Sequence, residues 1–209
     1  MSAAVLAGRR RIVVASRNRH KVVEIAALMA DLGLELVPID DLAPGAALIE
    51  DEPTFEGNAL AKARQAAAAT GLPALADDSG LEVDALLGAP GVRSARYAGD
   101  PSDDGRNNQK LLGALGGVPA AQRSGRYRCV AAFVDPTAGL ELTAAGACAG
   151  RLLEAPRGTG GFGYDPLFFL EALGKTMAEI DLPTKNRLSH RAAAFVALGA
   201  ALRERFAAR

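Results

Sequence analysis

Two adjacent carboxylates stand in Asp77-Asp78-Ser79-Gly80, directly after the short apolar run Pro73-Ala-Leu-Ala76. Acids beside a buried strand are costly unless something cationic satisfies them, so the pair is a candidate for metal or proton chemistry. A turn or a helix cap accounts for the same string. Neighbouring side chains diverge in extended backbone, and the two acids need not meet one ligand. Glu50, in an acidic stretch upstream, is a distant carboxylate that could join Asp78 on Mg2+, an ion that commonly takes one or two carboxylates plus phosphate oxygens and water. The string Ser16-Arg17-Asn18-Arg19-His20-Lys21 lies between an expected strand and an expected helix. Free N–H groups and the positive end of the helix dipole suit an anion there, and Lys21 adds a point charge. The string lacks the glycines of a Walker loop, and an ordinary capped helix reads equally well. Gly158, Gly160, Gly161 and Gly163 surround Phe162 and lead into Tyr164-Asp165. Such a loop lets backbone approach a ligand and offers a ring for stacking, although a flexible surface loop has the same composition. Lys185 and Ser189-His190-Arg191 put cations at the start of the last helix, where the dipole disfavours them, and this too suggests a ligand. The cysteine and histidine spacing does not fit zinc, and with two histidines and no serine elbow a hydrolase triad has little support.

The elements that must carry these residues follow from periodicity and punctuation. Arg11 to Ser16 reads as a buried strand. Val22, Ile25, Ala26, Met29 and Leu32 recur at helical spacing with Gly33 as the cap, and Leu34 to Val37 reads as a second strand. Asp40 to Pro53 is acidic and broken by proline and glycine, hence loop. An alanine-rich helix spans Asn58 to Thr70 and closes at Gly71, and a short strand at Pro73 to Ala76 runs into the acids. Gly88-Ala-Pro-Gly91 is a turn, and Ser102 caps a helix through Leu115. Arg126 to Val134 and Leu140 to Cys148 form a hairpin that sets Cys129 and Cys148 diagonally, too far apart for a relaxed disulfide. Both read as core thiols. A final helix begins near Ser189. These elements give an α/β fold with mixed strands, because a hairpin interrupts the β-α alternation. Residues 1–10 are expected to be a frayed tail and 11–209 a single domain.

Composition narrows the partners. Of 209 residues, 49% are hydrophobic and 23% charged, which excludes a disordered or collagen-like chain. Apolar runs are too short for a bilayer helix. Twenty-four basic and twenty-four acidic residues cancel, which argues against a nucleic-acid polymer as partner. The cancellation is uneven: every charge from Val22 to Ala61 is acidic, and from Lys185 onward only Glu204 is. Solvated helix faces explain most of this, and a metal pocket with a separate anion pocket is the sharper reading. Two cysteines and the absence of a signal-like N-terminus predict a cytoplasmic protein.

Taken together, Ser16-x-Asn18-x-x-Lys21-x-x-Glu24, Glu50 with Thr54-Phe55-x-x-Asn58-Ala59-x-x-Lys62-Ala63, Asp77-Asp78-Ser79-Gly80-Leu81, Gly88-Ala-Pro-Gly91 with Ser94-Ala-Arg96-Tyr97, Gly158 to Pro166 and Ser189-His190-Arg191 resemble the inosine/xanthosine triphosphate pyrophosphatase family, in that family's order. The resemblance departs at Arg17, where a small residue is commoner, and at Gly57, where an acidic one is usual. It implies a two-lobed α/β domain around a long mixed sheet with flanking helices and a central nucleotide cleft, and a homodimer. It also implies hydrolysis of ITP, dITP and XTP to monophosphate and pyrophosphate. Carried over residue by residue, Ser16, Arg17, Asn18, Arg19, His20, Lys21 and Lys62 hold phosphates, and Glu50 and Asp78 serve Mg2+. Asp78 accepts the proton, a role that Asp77 could share. Ser79 touches substrate, Phe162, Gly163, Tyr164 and Asp165 embrace the base, and Lys185, His190 and Arg191 read it. Two rivals are a pyrophosphatase of the septum-formation-inhibitor type, disfavoured by Ser189-His190-Arg191, and a non-catalytic nucleotide-binding regulator, which could dispense with Asp78 and Glu50.

Overall fold

The computed structural model describes residues 10–207; of the expected tail at 1–10, all but Arg10 lies outside them. Seven strands form one mixed sheet: β1 (Arg11–Val14), β2 (Glu35–Pro38), β3 (Ala74–Val83), β4 (Ser124–Asp135), β5 (Leu140–Leu152), β6 (Phe168–Leu170) and β7 (Lys175–Thr176). Their order is β2-β1-β3-β4-β5-β6-β7. β1 runs parallel to both β2 and β3, with Val13 opposite Val37 and Ala74. β6 is antiparallel to β5 and to β7. Ile12, Val13 and Val14 are all buried, as befits a central parallel strand covered on both faces. β5 instead alternates half-buried and exposed residues, so one of its faces is open.

The helices are α1 (Arg19–Leu28), α2 (Ile39–Leu42), α3 (Phe55–Thr70), α4 (Asp104–Ala114), α5 (Leu182–Leu188) and α6 (His190–Ala207). α1 starts three residues before the expected Val22, because the Asn18 side chain caps it by accepting from the His20 and Lys21 N–H groups. α3 likewise starts at Phe55 rather than Asn58, capped by Thr54. Asp103, not Ser102, caps α4. α2 occupies part of the expected acidic loop. α5 was not expected at all; Asp181 caps it, and Pro183 sits in its first turn, where a missing N–H costs nothing.

The chain forms two compact units. One holds the described residues up to Asp78, with Val130–Ala145 and everything from Arg191; the other holds Ser79–Cys129 and Gly146–His190. In the first unit the alanine-rich α3 packs on β1, burying Ala59, Ala63, Ala66 and Ala67, while Phe195, Leu198 and Leu202 form the apolar face of α6. The core of the second unit gathers Leu81, Leu111, Tyr127, Leu152, Phe168 and Met177. Cys129 is buried and Cys148 half-buried, both as free thiols.

Candidate active site

The expectation that β3 stops before the acids is corrected: Asp77 and Asp78 lie inside a strand that runs on to Val83. Hydrophobic runs mark strands only while apolar contacts satisfy them; here opposite charges from elsewhere in the chain do so. The two side chains diverge as extended backbone requires. Asp77 Oδ2 meets Lys21 Nζ at 3.3 Å and accepts from Arg191 Nη2 at 3.1 Å. Asp78 Oδ2 accepts from Asn58 Nδ2 at 2.9 Å, and its Oδ1 lies 3.8 Å from Lys62 Nζ. Lys62 is buried on α3; it donates to the Asp77 carbonyl at 2.6 Å and to the Glu50 carboxylate. All of these residues belong to the first unit.

This arrangement treats the two acids differently. Burial alone would raise the Asp77 pKa, but Lys21, Arg191 and Lys62 overwhelm it and hold the group well below the usual carboxylate range. With a depressed folded value, its contribution to stability is complete above about pH 4, the unfolded value, and is lost only as pH falls below that toward the folded pKa. Asp78 goes the other way. Burial raises it, Lys62 and Lys21 pull it down, Glu50 pushes it up, and the net shift is upward. Asp77 is thus held ionised by its cations, and Asp78 is the more basic of the two acids. Lys62 stays above its ordinary value, since Asp77, Glu50 and Asp78 more than offset the effect of burial.

Glu50 and Asp78 therefore converge on one cation, the Lys62 ammonium. Among the described residues no cluster of three or more His, Cys, Asp or Glu side chains could hold a metal. Two carboxylates on a common cation fit Mg2+, which draws its other ligands from phosphate and water. Asn58 ties the acidic segment to the pair, because its Oδ1 accepts from the Glu52 N–H at 2.9 Å while its amide donates to Asp78.

In the Ser16–Lys21 segment the first turn of α1 is ordered by Asn18, whose own N–H donates to Ser16 Oγ at 3.3 Å. Arg19 and His20 are exposed. Arg17, the departure from the family pattern, directs its guanidinium to Asp40 at 3.0 Å and to the Ala46 carbonyl at 2.6 Å, bracing the acidic segment. At Gly57, the other departure, a Cβ would lie 2.8 Å from Glu52 Cβ.

The second unit holds the glycine-rich loop. Asp165 is its hub: Oδ2 accepts from Lys185 Nζ at 2.7 Å and from the Phe162 N–H at 3.0 Å, and Oδ1 accepts from the Tyr127 hydroxyl at 3.2 Å. Lys185 Nζ lies 4.7 Å from the Phe162 ring centroid. The His190 ring stacks on Tyr127 at 4.6 Å. The Gly163 N–H donates to Asp104 at 2.7 Å, and its carbonyl accepts from Asn108 at 2.9 Å, so the start of α4 clamps the loop. The Tyr164 hydroxyl donates to the Ser94 carbonyl at 2.8 Å. Burial pushes the Tyr164 phenol up, as it does Tyr127, where Asp165 adds to the effect. Both stay neutral donors. Ser79 sits half-buried on β3.

The glycines here meet a packing need. Gly161 has φ +72°, and a Cβ on it would fall 2.1 Å from Asp165 Oδ2. Gly161→Ala should cost roughly 1 to 3 kcal/mol, read as a lowered Tm, by forcing a strained backbone and displacing Asp165. An unchanged Tm would contradict this role for the glycine.

Lys185 thus meets Phe162 and Asp165, and Tyr127 links His190 to Asp165. Arg191 keeps other company: its carboxylate partners are Asp77 and Glu24. Sequence reasoning missed Asn58, Glu24 and Tyr127 as site residues. The signal for Glu24 was a charge between Ile25 and Lys21 on a helix face that turns inward; for Tyr127 it was an inward position in the alternation of β4.

A family model described as the Ham1 family matches residues 12–201. The chain belongs to the Ham1 family. Among curated Ham1 relatives, a dITP/XTP pyrophosphatase from Geobacter sulfurreducens is 52% identical over 188 residues, covering 90% of this chain and 94% of that one. One from Shigella flexneri is 48% identical, covering 92% and 98%. A solved HAM1 protein from Coxiella burnetii superposes with a TM-score of 0.84 at 42% identity, covering 93% of this chain and 99% of that one.

Proposed function

We infer that the protein hydrolyses non-standard purine nucleoside triphosphates (ITP, dITP and XTP) to the monophosphate and pyrophosphate. The names of its relatives support the activity. The observation that carries the chemistry is the buried cluster in which Asp78, held by Asn58, shares Lys62 with Glu50, while Asp77 is held by Lys21 and Arg191.

Asp78 takes the proton from the water that attacks the α-phosphorus, and Asn58 keeps its carboxylate aimed. Lys21 and Lys62 meet the charge on the leaving β,γ-phosphates, at the positive end of α1. Glu50 and Asp78 would hold Mg2+, which when bound neutralises phosphate charge. Phe162 offers its face to the base, while Lys185 and His190, set by Asp165 and Tyr127, supply donors to its edge; Ser79 also contacts the substrate. A homodimer in the cytoplasm completes the reading. No helix among the described residues is long and apolar enough to cross a membrane.

Release of pyrophosphate from ITP, XTP, dTTP and ATP with Mg2+ tests the inference, and preference for dTTP or an absence of turnover would overturn it. Phosphorus NMR of the ITP reaction should show IMP and pyrophosphate only. Because the lysines face the leaving group while Asp78 faces the α-phosphorus, IDP and orthophosphate appearing first would contradict the arrangement.

A further inference from the structure

The segment Ser94-Ala-Arg96-Tyr97 and the helix α4 that follows it take no part in the chemistry proposed above, yet both reach the glycine-rich loop. Gly158, Gly160, Gly161 and Gly163 leave that backbone with more freedom than most, so Phe162 presents a fixed face only if something outside the loop holds it. Two successive N–H groups are taken by carboxylates. The Phe162 N–H donates to Asp165 Oδ2 at 3.0 Å, from within the loop, and the Gly163 N–H donates to Asp104 Oδ2 at 2.7 Å, from α4. Asn108 stands one turn further along α4, on the same face as Asp104, and its Nδ2 donates to the Gly163 carbonyl at 2.9 Å. Both backbone groups of one glycine, itself at φ +62°, are thus gripped by a single helix face. α4 is anchored in turn. Asn107, 2% exposed, accepts from the Ala98 N–H at 2.7 Å and donates to the Ala95 carbonyl at 2.9 Å. The Tyr164 hydroxyl closes the circuit on the Ser94 carbonyl, while Ser94 Oγ accepts from the Leu81 N–H at 2.8 Å, two residues past Ser79. All of these residues belong to the second unit.

We propose that Asp104 and Asn108 are positioning residues for the base end of the site: by holding the N–H and the carbonyl of Gly163 they fix the ring of Phe162, so that affinity for the nucleoside half of the substrate is set from α4. The proposal rests on the pyrophosphatase reading, in which Phe162 offers its face to the base, and adds the residues that keep that face in place.

Asn108→Leu, which removes the donor at similar size, and Asp104→Ala, each in the full chain, test it by calorimetric titration with IMP and with pyrophosphate and by steady-state kinetics on ITP. Loss of one hydrogen bond from the clamp should weaken IMP binding about three- to tenfold in each variant. Pyrophosphate affinity should stay at the wild-type value, because Lys21 and Lys62 lie in the first unit. KM for ITP should rise by the same factor as the IMP dissociation constant with kcat within about twofold, the mark of lost uniform binding. Asp104→Asn keeps an oxygen that can accept from Gly163 and should stay within about threefold of wild type for IMP. IMP affinity equal to wild type in Asn108→Leu and Asp104→Ala would overturn the proposal. Equal losses for IMP and pyrophosphate, or collapse of both variants to unfolded chains, would also overturn it, by reducing the clamp to a structural element. A loss in Asp104→Asn as large as in Asp104→Ala would do the same, by pointing to charge instead of the hydrogen bond. A wild type that binds IMP without hydrolysing ITP would sink the pyrophosphatase reading alone, since the IMP titration decides the positioning role without turnover; one that binds no IMP would overturn both.

Discussion

Asp78→Asn should lower kcat on ITP by roughly 10²- to 10⁴-fold, the range over which a positioned acid or base contributes. The asparagine keeps the shape of the side chain and can still accept from Asn58, but its amide cannot take a proton from water. Binding of a non-hydrolysable ITP analogue should change far less, because Lys21 and Lys62 remain. Such a split between turnover and binding marks a group needed mainly in the transition state. Asp77→Asn should behave differently. Its carboxylate is buried among Lys21, Arg191 and Lys62, and removing one partner of such a network leaves buried cations uncompensated, at about 3 to 5 kcal/mol. The expected signature is a large fall in Tm. Undiminished hydrolysis by Asp78→Asn, or a wild-type Tm for Asp77→Asn, would reverse the roles assigned to the two acids.

The parts of this fold that could be read in the sequence are those governed by local rules. Ile12-Val-Val14 had to be a buried strand, Gly71 had to stop a helix, and the turn after Asp135 had to make a hairpin. By contrast, α1 ends at Leu28, and Gly33 closes a separate 3-10 turn over Ala30–Leu32 rather than the helix itself. The parts that could not be read depend on partners far along the chain. Hydropathy ends β3 at Ala76, and the charges of Lys21, Lys62 and Arg191, with the Asn58 amide, satisfy Asp77 and Asp78 within the longer strand. α5 is too short for periodicity to show, and only Asp181 and Pro183 mark it. The same division holds for the site. Asp78, Glu50 and Lys62 stand out by type and by family order, but nothing local pairs Arg191 with Glu24, 167 positions away. Its place in Ser189-His190-Arg191 suggested the base, while its geometry ties it to the acids of β3.

The second large effect concerns the base. A 6-keto purine presents an acceptor where adenine presents an amino donor, and an ammonium group has only donors to offer. In the proposed reading, Lys185 meets that acceptor. Asp165 takes one of its hydrogen bonds at 2.7 Å, and the Phe162 ring lies 4.7 Å away, so the cation is oriented beside the stacking face. Lys185→Gln should lower kcat/KM for ITP and XTP by roughly ten- to 150-fold, the equivalent of one hydrogen bond to a charged donor, and lower it for ATP much less. The ITP-to-ATP ratio therefore narrows. GTP shares the 6-keto oxygen, so any hydrolysis of GTP should fall alongside that of ITP. Glutamine keeps an amide donor for Asp165, and its Tm serves to separate lost recognition from lost folding. Lys62→Ala is the contrasting case. Lys62 meets Glu50, Asp77 and Asp78 rather than anything near the base, so its removal should depress every triphosphate by a similar factor and leave the ratio alone. Lys185 would be a structural partner of Asp165 rather than a reader of the base if Lys185→Gln lowered ITP and ATP hydrolysis equally.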